Sequence, residues 1–69
     1  MQKTDVINFM KDYINKTYSN VYSIKIREIK YDEYTKNWSS HISFNDDMNS
    51  HEIALILNNG RIIFVKEFK

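Results

Sequence analysis

Residues 51–68 read HEIALILNNGRIIFVKEF, and the reading of this stretch decides the fold. Two apolar runs, 53–57 and 62–65, flank the dipeptide Asn59-Gly60. Asn-Gly accepts positive φ at both central positions of a two-residue type I′ turn, whose twist matches that of paired strands. The stretch therefore predicts a β-hairpin with strands over 51–57 and 61–68. A turn of fixed length also sets the register. Two turn residues pair Leu57 with Ile62, Leu55 with Phe64, Ile56 with Ile63 and Ala54 with Val65. In that register Ile53, Leu55 and Leu57 serve one face. Ala54, Ile56, Ile63 and Val65 make an apolar set on the other.

Working backwards from the hairpin, residues 38–44 (WSSHISF) alternate with period two, the signature of a strand with one buried face. Trp38, Ile42 and Phe44 fall on one side, and Ser39, His41 and Ser43 on the other. Asp46, Asp47, Met48 and Asn49 supply a polar loop to the next strand. Keeping the apolar residues together places Ile42 opposite Ile53 and Phe44 opposite His51. Earlier still, Tyr22, Ile24 and Ile26 alternate with Ser23, Lys25 and Arg27. The phase then slips, because Ile29 and Tyr31 are odd, which predicts a β-bulge near Arg27-Glu28. Residues 34–37 read as a turn. Residues 4–18 instead carry helical spacing, with Val6, Met10, Tyr13, Ile14 and Tyr18 on one stripe. Thr4 or Asp5 is the expected N-cap, and Ser19-Asn20 the expected stop.

The element order is α-β-β-β-β. Short connections between consecutive strands imply an antiparallel meander. The expected architecture is a single α+β domain over residues 1–69, with one N-terminal helix packed on a four-stranded antiparallel sheet.

Composition narrows the functions available. A chain of 69 residues buries only about 60% of its unfolded surface, so its core is small. With no cysteine, disulfides and thiolate zinc sites are excluded. Ten basic and nine acidic residues give a net charge of +1, short of the basic excess of a strong nucleic-acid binder. No stretch approaches the about 20 apolar residues of a membrane span. Asp5 and Lys11 interrupt the N-terminal apolar residues, which is unlike a signal peptide. The expected setting is the cytoplasm of a bacterial host cell, with no membrane partner. Asn, Lys, Ile and Tyr are abundant and have AT-rich codons, pointing to an AT-rich bacterium or a mobile element within one.

The chemistry-bearing residues cluster at 41–52 (HISFNDDMNSHE), which holds both histidines with Asp46, Asp47 and Glu52. The strand register separates the histidines: His41 points away from the helix and His51 toward its side. A closed zinc site needs about four convergent ligands, so no metal site is expected here. Ser39, Ser40 and Ser43 lie near His41, but nothing supplies an oxyanion hole or a nucleophile elbow. Gly60 is the only glycine, which excludes phosphate-cradling and dinucleotide fingerprints. The expectation is a non-enzymatic protein without cofactors.

A partner surface is expected instead. One helix covers one face of a sheet, which leaves Ala54, Ile56, Ile63 and Val65 as a protein interface, since contiguous apolar patches mark binding sites. Toward the first strand the same face is polar, with Lys25, Arg27, Tyr31 and His41 as contacts for nucleic acid or a polar partner. The weak charge excess disfavours nucleic acid. The Trp-led strand followed by EIALILNNGRIIFV resembles the PepSY type of hairpin in outline, a likeness that carries no catalytic residue to this chain. In size, AT-rich bias and lack of a catalytic motif the chain is similar to small phage-encoded inhibitors, including anti-CRISPR proteins. That similarity implies steric blocking of a larger protein, such as a bacterial defence nuclease. A small homodimeric accessory protein and a nucleic-acid-binding sheet are the alternatives.

Overall fold

The computed structural model describes residues 2–45, 48 and 50–68. Helix α1 spans Lys3–Thr17, and strands β1 Ile24–Asp32, β2 Asn37–Phe44, β3 His51–Asn58 and β4 Arg61–Phe68 follow. The strands form one sheet in the order β1-β2-β3-β4, every neighbour antiparallel. This is the helix-on-meander α+β fold that the periodicities predict.

Val6, Met10 and Ile14 lie one helical turn apart and are fully buried. They meet Ile42 and Phe44 of β2 and Ile53, Leu55 and Leu57 of β3 in a single core cluster. Burying each such side chain is worth about 1.5–3 kcal/mol. The helix begins earlier than its sequence suggests. Gln2, and neither Thr4 nor Asp5, occupies the N-cap, and Asp5 Oδ2 accepts the Gln2 backbone N–H at 3.1 Å. Asp5 thus satisfies a donor at the helix start and sits at the positive end of the dipole. At the other end Tyr18 is extended and Asn20 takes φ 60°, turning the chain toward β1.

The β2–β3 register is as expected: Ile42 opposes Ile53 and Phe44 opposes His51. The bulge of β1 also falls where the phase slips, between Arg27 and Lys30, with Glu28 at φ 53°. Ser40 is buried at this point, and its hydroxyl donates to the Arg27 carbonyl at 2.8 Å. A polar residue inside the helix-covered face is thereby satisfied by the carbonyl that the irregularity leaves beside it.

β4 departs from expectation. Asn59 and Gly60 both take positive φ, and Leu57 opposes Ile62, as the type I′ turn requires. One step later the register shifts, and Ile56 opposes Phe64, with Ile63 as the extra residue. Leu55 then opposes Val65 and Ala54 opposes Lys66. The expected pairs Leu55–Phe64, Ile56–Ile63 and Ala54–Val65 are therefore replaced. Val65 packs against the core, and Phe64 takes the open face. A bulge adds one residue to one strand and reverses the facing of everything after it. On the core side it sets Val65 rather than Phe64 opposite Leu55, and Glu67 rather than Lys66 opposite Ile53.

Candidate interaction face

The side of the sheet opposite α1 is bare, and four strands furnish it. β1 contributes Lys25, Arg27 and Lys30, which oppose Ser43, His41 and Ser39 of β2. β3 contributes Glu52, Ala54 and Ile56, and β4 contributes Phe64, Lys66 and Phe68 opposite them. The expected interface set is thus revised. Ala54 and Ile56 remain on this face, Ile63 stands at the bulge 55% exposed, and Val65 leaves for the core side. Phe64 and Phe68, 47% and 38% exposed, are the members that pattern reading missed. Doubled apolar character at Ile62-Ile63-Phe64 was the available signal, since a bulge accommodates two successive apolar residues without burying both.

Tyr31 is likewise corrected. It opposes Trp38, and the two rings lie 4.9 Å apart. Trp38 opposes Leu57 of the core face, so Tyr31 sits on the helix side rather than beside Lys25, Arg27 and His41. The β1 bulge causes this, and it brings Lys30 to the open face in exchange.

A polar knot holds one end of the face together. Arg27 Nη2 donates to Ser43 Oγ at 3.1 Å and lies 3.6 Å from Glu52 Oε1. His41 Nε2 lies 3.4 Å from the same carboxylate oxygen. That approach is not aligned as a hydrogen bond, and Nε2 is buried without a hydrogen-bond partner among the described residues. The imidazole stacks parallel on Phe68, centroids 5.4 Å apart, and Lys66 Nζ is 5.4 Å from the same ring. Cation and aromatic face attract through the ring quadrupole. All four strands are tied together in this way.

This geometry bears on the sequence-derived site candidates. Ser43 Oγ accepts from Arg27, and among the described residues no serine hydroxyl is hydrogen-bonded to His41. Ser40 points to the opposite side, toward the core. His51 stacks on Phe44, 5.0 Å between centroids, on the helix side. The two histidines therefore face opposite ways across the sheet. Among the described residues no three His, Asp or Glu gather as a metal site. The loop residues Asp46, Asp47 and Asn49 lie outside the described residues. No described helix is long and apolar enough to cross a membrane.

Between β1 and β4 the face forms a shallow groove of about 260 Å³, lined along its floor by Ser39, Ala54 and Ile56 and at its rim by Glu28, Lys30 and Phe64. Among the described residues neither the Lys25 nor the Lys30 side chain has an ion-pair or hydrogen-bond partner. No protein-family model, curated protein or solved structure matches the chain.

Proposed function

We propose that the chain is a non-enzymatic protein-binding module that docks on a larger protein through the open face of its sheet. One observation carries this reading: Ala54, Ile56 and Phe64 form an apolar strip that the single helix leaves uncovered. Uncovered apolar area of this kind is costly in water and is a common mark of a binding surface. Its surroundings fit the anatomy of an interface, an apolar centre with a charged rim. Blocking a larger enzyme sterically, in the manner of small phage-encoded inhibitors, is the role that the size and AT-rich bias of the chain favour.

The test is the double variant Ile56→Asp/Phe64→Asp, compared with wild type for association with an identified partner co-purified from the host. Both side chains are on the open face, so the far-UV spectrum and the thermal midpoint are expected to stay close to wild type while association is lost. Association that survives the double change overturns the proposal. Light scattering supplies the second arm. A monomer that becomes a one-to-one complex supports docking on another protein, whereas a stable dimer of twice the chain mass assigns the face to self-association instead.

A further inference from the structure

Resting on the docking face just proposed, we infer that its occupant is an acidic amphipathic helix, laid along the strands between β1 and β4. The first argument is dimensional. Three strand spacings separate β1 from β4, about 14 Å in all, and an α-helix with its side chains is about 10–12 Å across. Strands of eight residues run about 27 Å, the length of about 18 helical residues.

The second argument is charge. Lys25, Arg27 and Lys30 form a basic column on one outer strand, and Lys66 stands on the other, with Arg61 at its start. Five cations thus flank the aliphatic floor, against the carboxylates of Asp32, Glu28 and Glu52. Two of these are already engaged. Glu52 faces Arg27 and His41, and Asp32 accepts from the Tyr34 N–H and the Thr35 hydroxyl in its own turn. With Arg27 set against Glu52, what remains is Lys25 and Lys30 beside Glu28 on one wall, Arg61 and Lys66 on the other, and an apolar strip between, a net excess of positive charge. A helix with an apolar stripe and acidic flanks is complementary to that arrangement in shape and in sign.

The same features disfavour a nucleic-acid strand as the occupant. Single strands bind on exposed ring faces that stack with bases. The centre of this face is Ala54 and Ile56, which are aliphatic, and Phe64 is the one exposed ring beside them, where a strand of bases would need several in succession. Phe68, on the outer strand, is already engaged by His41 and Lys66.

The experiment titrates the full-length isotope-labelled chain with three probes and follows backbone amide signals. The probes are an amphipathic peptide of about 18 residues with a leucine stripe and glutamate flanks, its twin with lysine flanks, and a single-stranded oligonucleotide of matched charge. The acidic peptide is expected to shift the signals of Lys30, Ala54, Ile56 and Phe64, and its affinity to fall with added salt. The variant Lys25→Glu/Lys30→Glu, on exposed edge positions, is expected to weaken it about tenfold or more while keeping the fold. Equal binding of the lysine twin, tighter binding of the oligonucleotide, shifts confined to α1, or no binding of the acidic peptide overturns the inference. If the acidic peptide fails while Ile56→Asp/Phe64→Asp still abolishes association with the host partner, the docking face stands and the acidic helix falls.

Discussion

At the scale of single residues, the most informative side chains are polar ones placed where they complete the backbone. Asn45 is almost fully buried at φ 59°. Its Oδ1 accepts from the Tyr22 N–H at 3.0 Å, its Nδ2 donates to the Asn20 carbonyl at 3.1 Å, and its own N–H donates to the Ser23 carbonyl at 2.7 Å. One side chain thus anchors the α1–β1 connection to the end of β2. Asn58 does similar work at the other end, donating to Asn37 Oδ1 at 2.7 Å and to the Thr35 carbonyl at 3.1 Å. Asp32 organises the β1–β2 turn, accepting the Tyr34 N–H at 3.0 Å and the Thr35 hydroxyl at 2.9 Å. The Tyr34 N–H, and next the Thr35 hydroxyl, stabilise its ionised form and hold its pKa below the ordinary 3.8. A lowered folded-state pKa means that the stabilisation is present above the unfolded value and is lost as pH falls through the folded one. The thermal midpoint of wild type is therefore expected to drop more steeply on acidification below about pH 4 than that of Asp32→Asn, whose amide oxygen keeps the turn but does not titrate. Parallel acid limbs for the two proteins would show that this carboxylate does not support the turn.

At the scale of elements, both outer strands are interrupted by a bulge, β1 between Arg27 and Lys30 and β4 between Ile56 and Leu57 of its partner. Bulges twist an edge away from flat pairing and so discourage edge-to-edge association. They also reassign faces. The β1 slip was legible because its apolar residues change parity, from Ile24 and Ile26 to Ile29 and Tyr31. The β4 slip was hidden because Ile62, Ile63, Phe64 and Val65 are all apolar, and a run without alternation fits either register. The bulge makes a specific prediction. Deleting Ile63 removes the extra residue and leaves every later residue of β4 on its present face, so the variant is expected to fold, with a midpoint within about 4–8 °C of wild type. Deleting Val65 leaves the bulge and puts Lys66 on the core side, and it is expected to cost several-fold more. Equal damage from the two deletions, measured by circular dichroism melts, would argue against the bulge.

At the scale of the whole molecule, one helix of 15 residues serves a sheet of four strands. The core gathers beneath it on β2 and β3, and the outer strands contribute only partly buried residues such as Ile24, Ile26, Ile62 and Val65. A domain of this length has about 3–10 kcal/mol of stability in all. Met10 is fully buried at the centre of the helix stripe, and Met10→Ala is expected to remove about 2–5 kcal/mol. The thermal midpoint should fall by about 10 °C or more. A shift of only a few degrees would mean that the helix is not seated as described. The open face has the opposite signature, because its substitutions should leave the midpoint in place and act on association alone. That contrast between a face whose changes unfold the chain and a face whose changes do not separates core from interface by experiment.

The sequence alone determined the element order, the Asn59-Gly60 turn, the β2–β3 register and the separation of the two histidines, because each follows from local periodicity or a fixed turn length. It also determined that one face of the sheet would be bare, since only one segment has helical spacing. Only the tertiary structure decided which residues furnish that face. An apolar run has no parity of its own, so the exchange of Val65 for Phe64 opposite Leu55 is settled only by where the bulge falls in the assembled sheet. The sides of Tyr31 and Lys30, by contrast, follow from the β1 phase slip that the sequence shows, and the buried Ser40 hydroxyl holds that bulge. The groove exists only once four strands lie side by side.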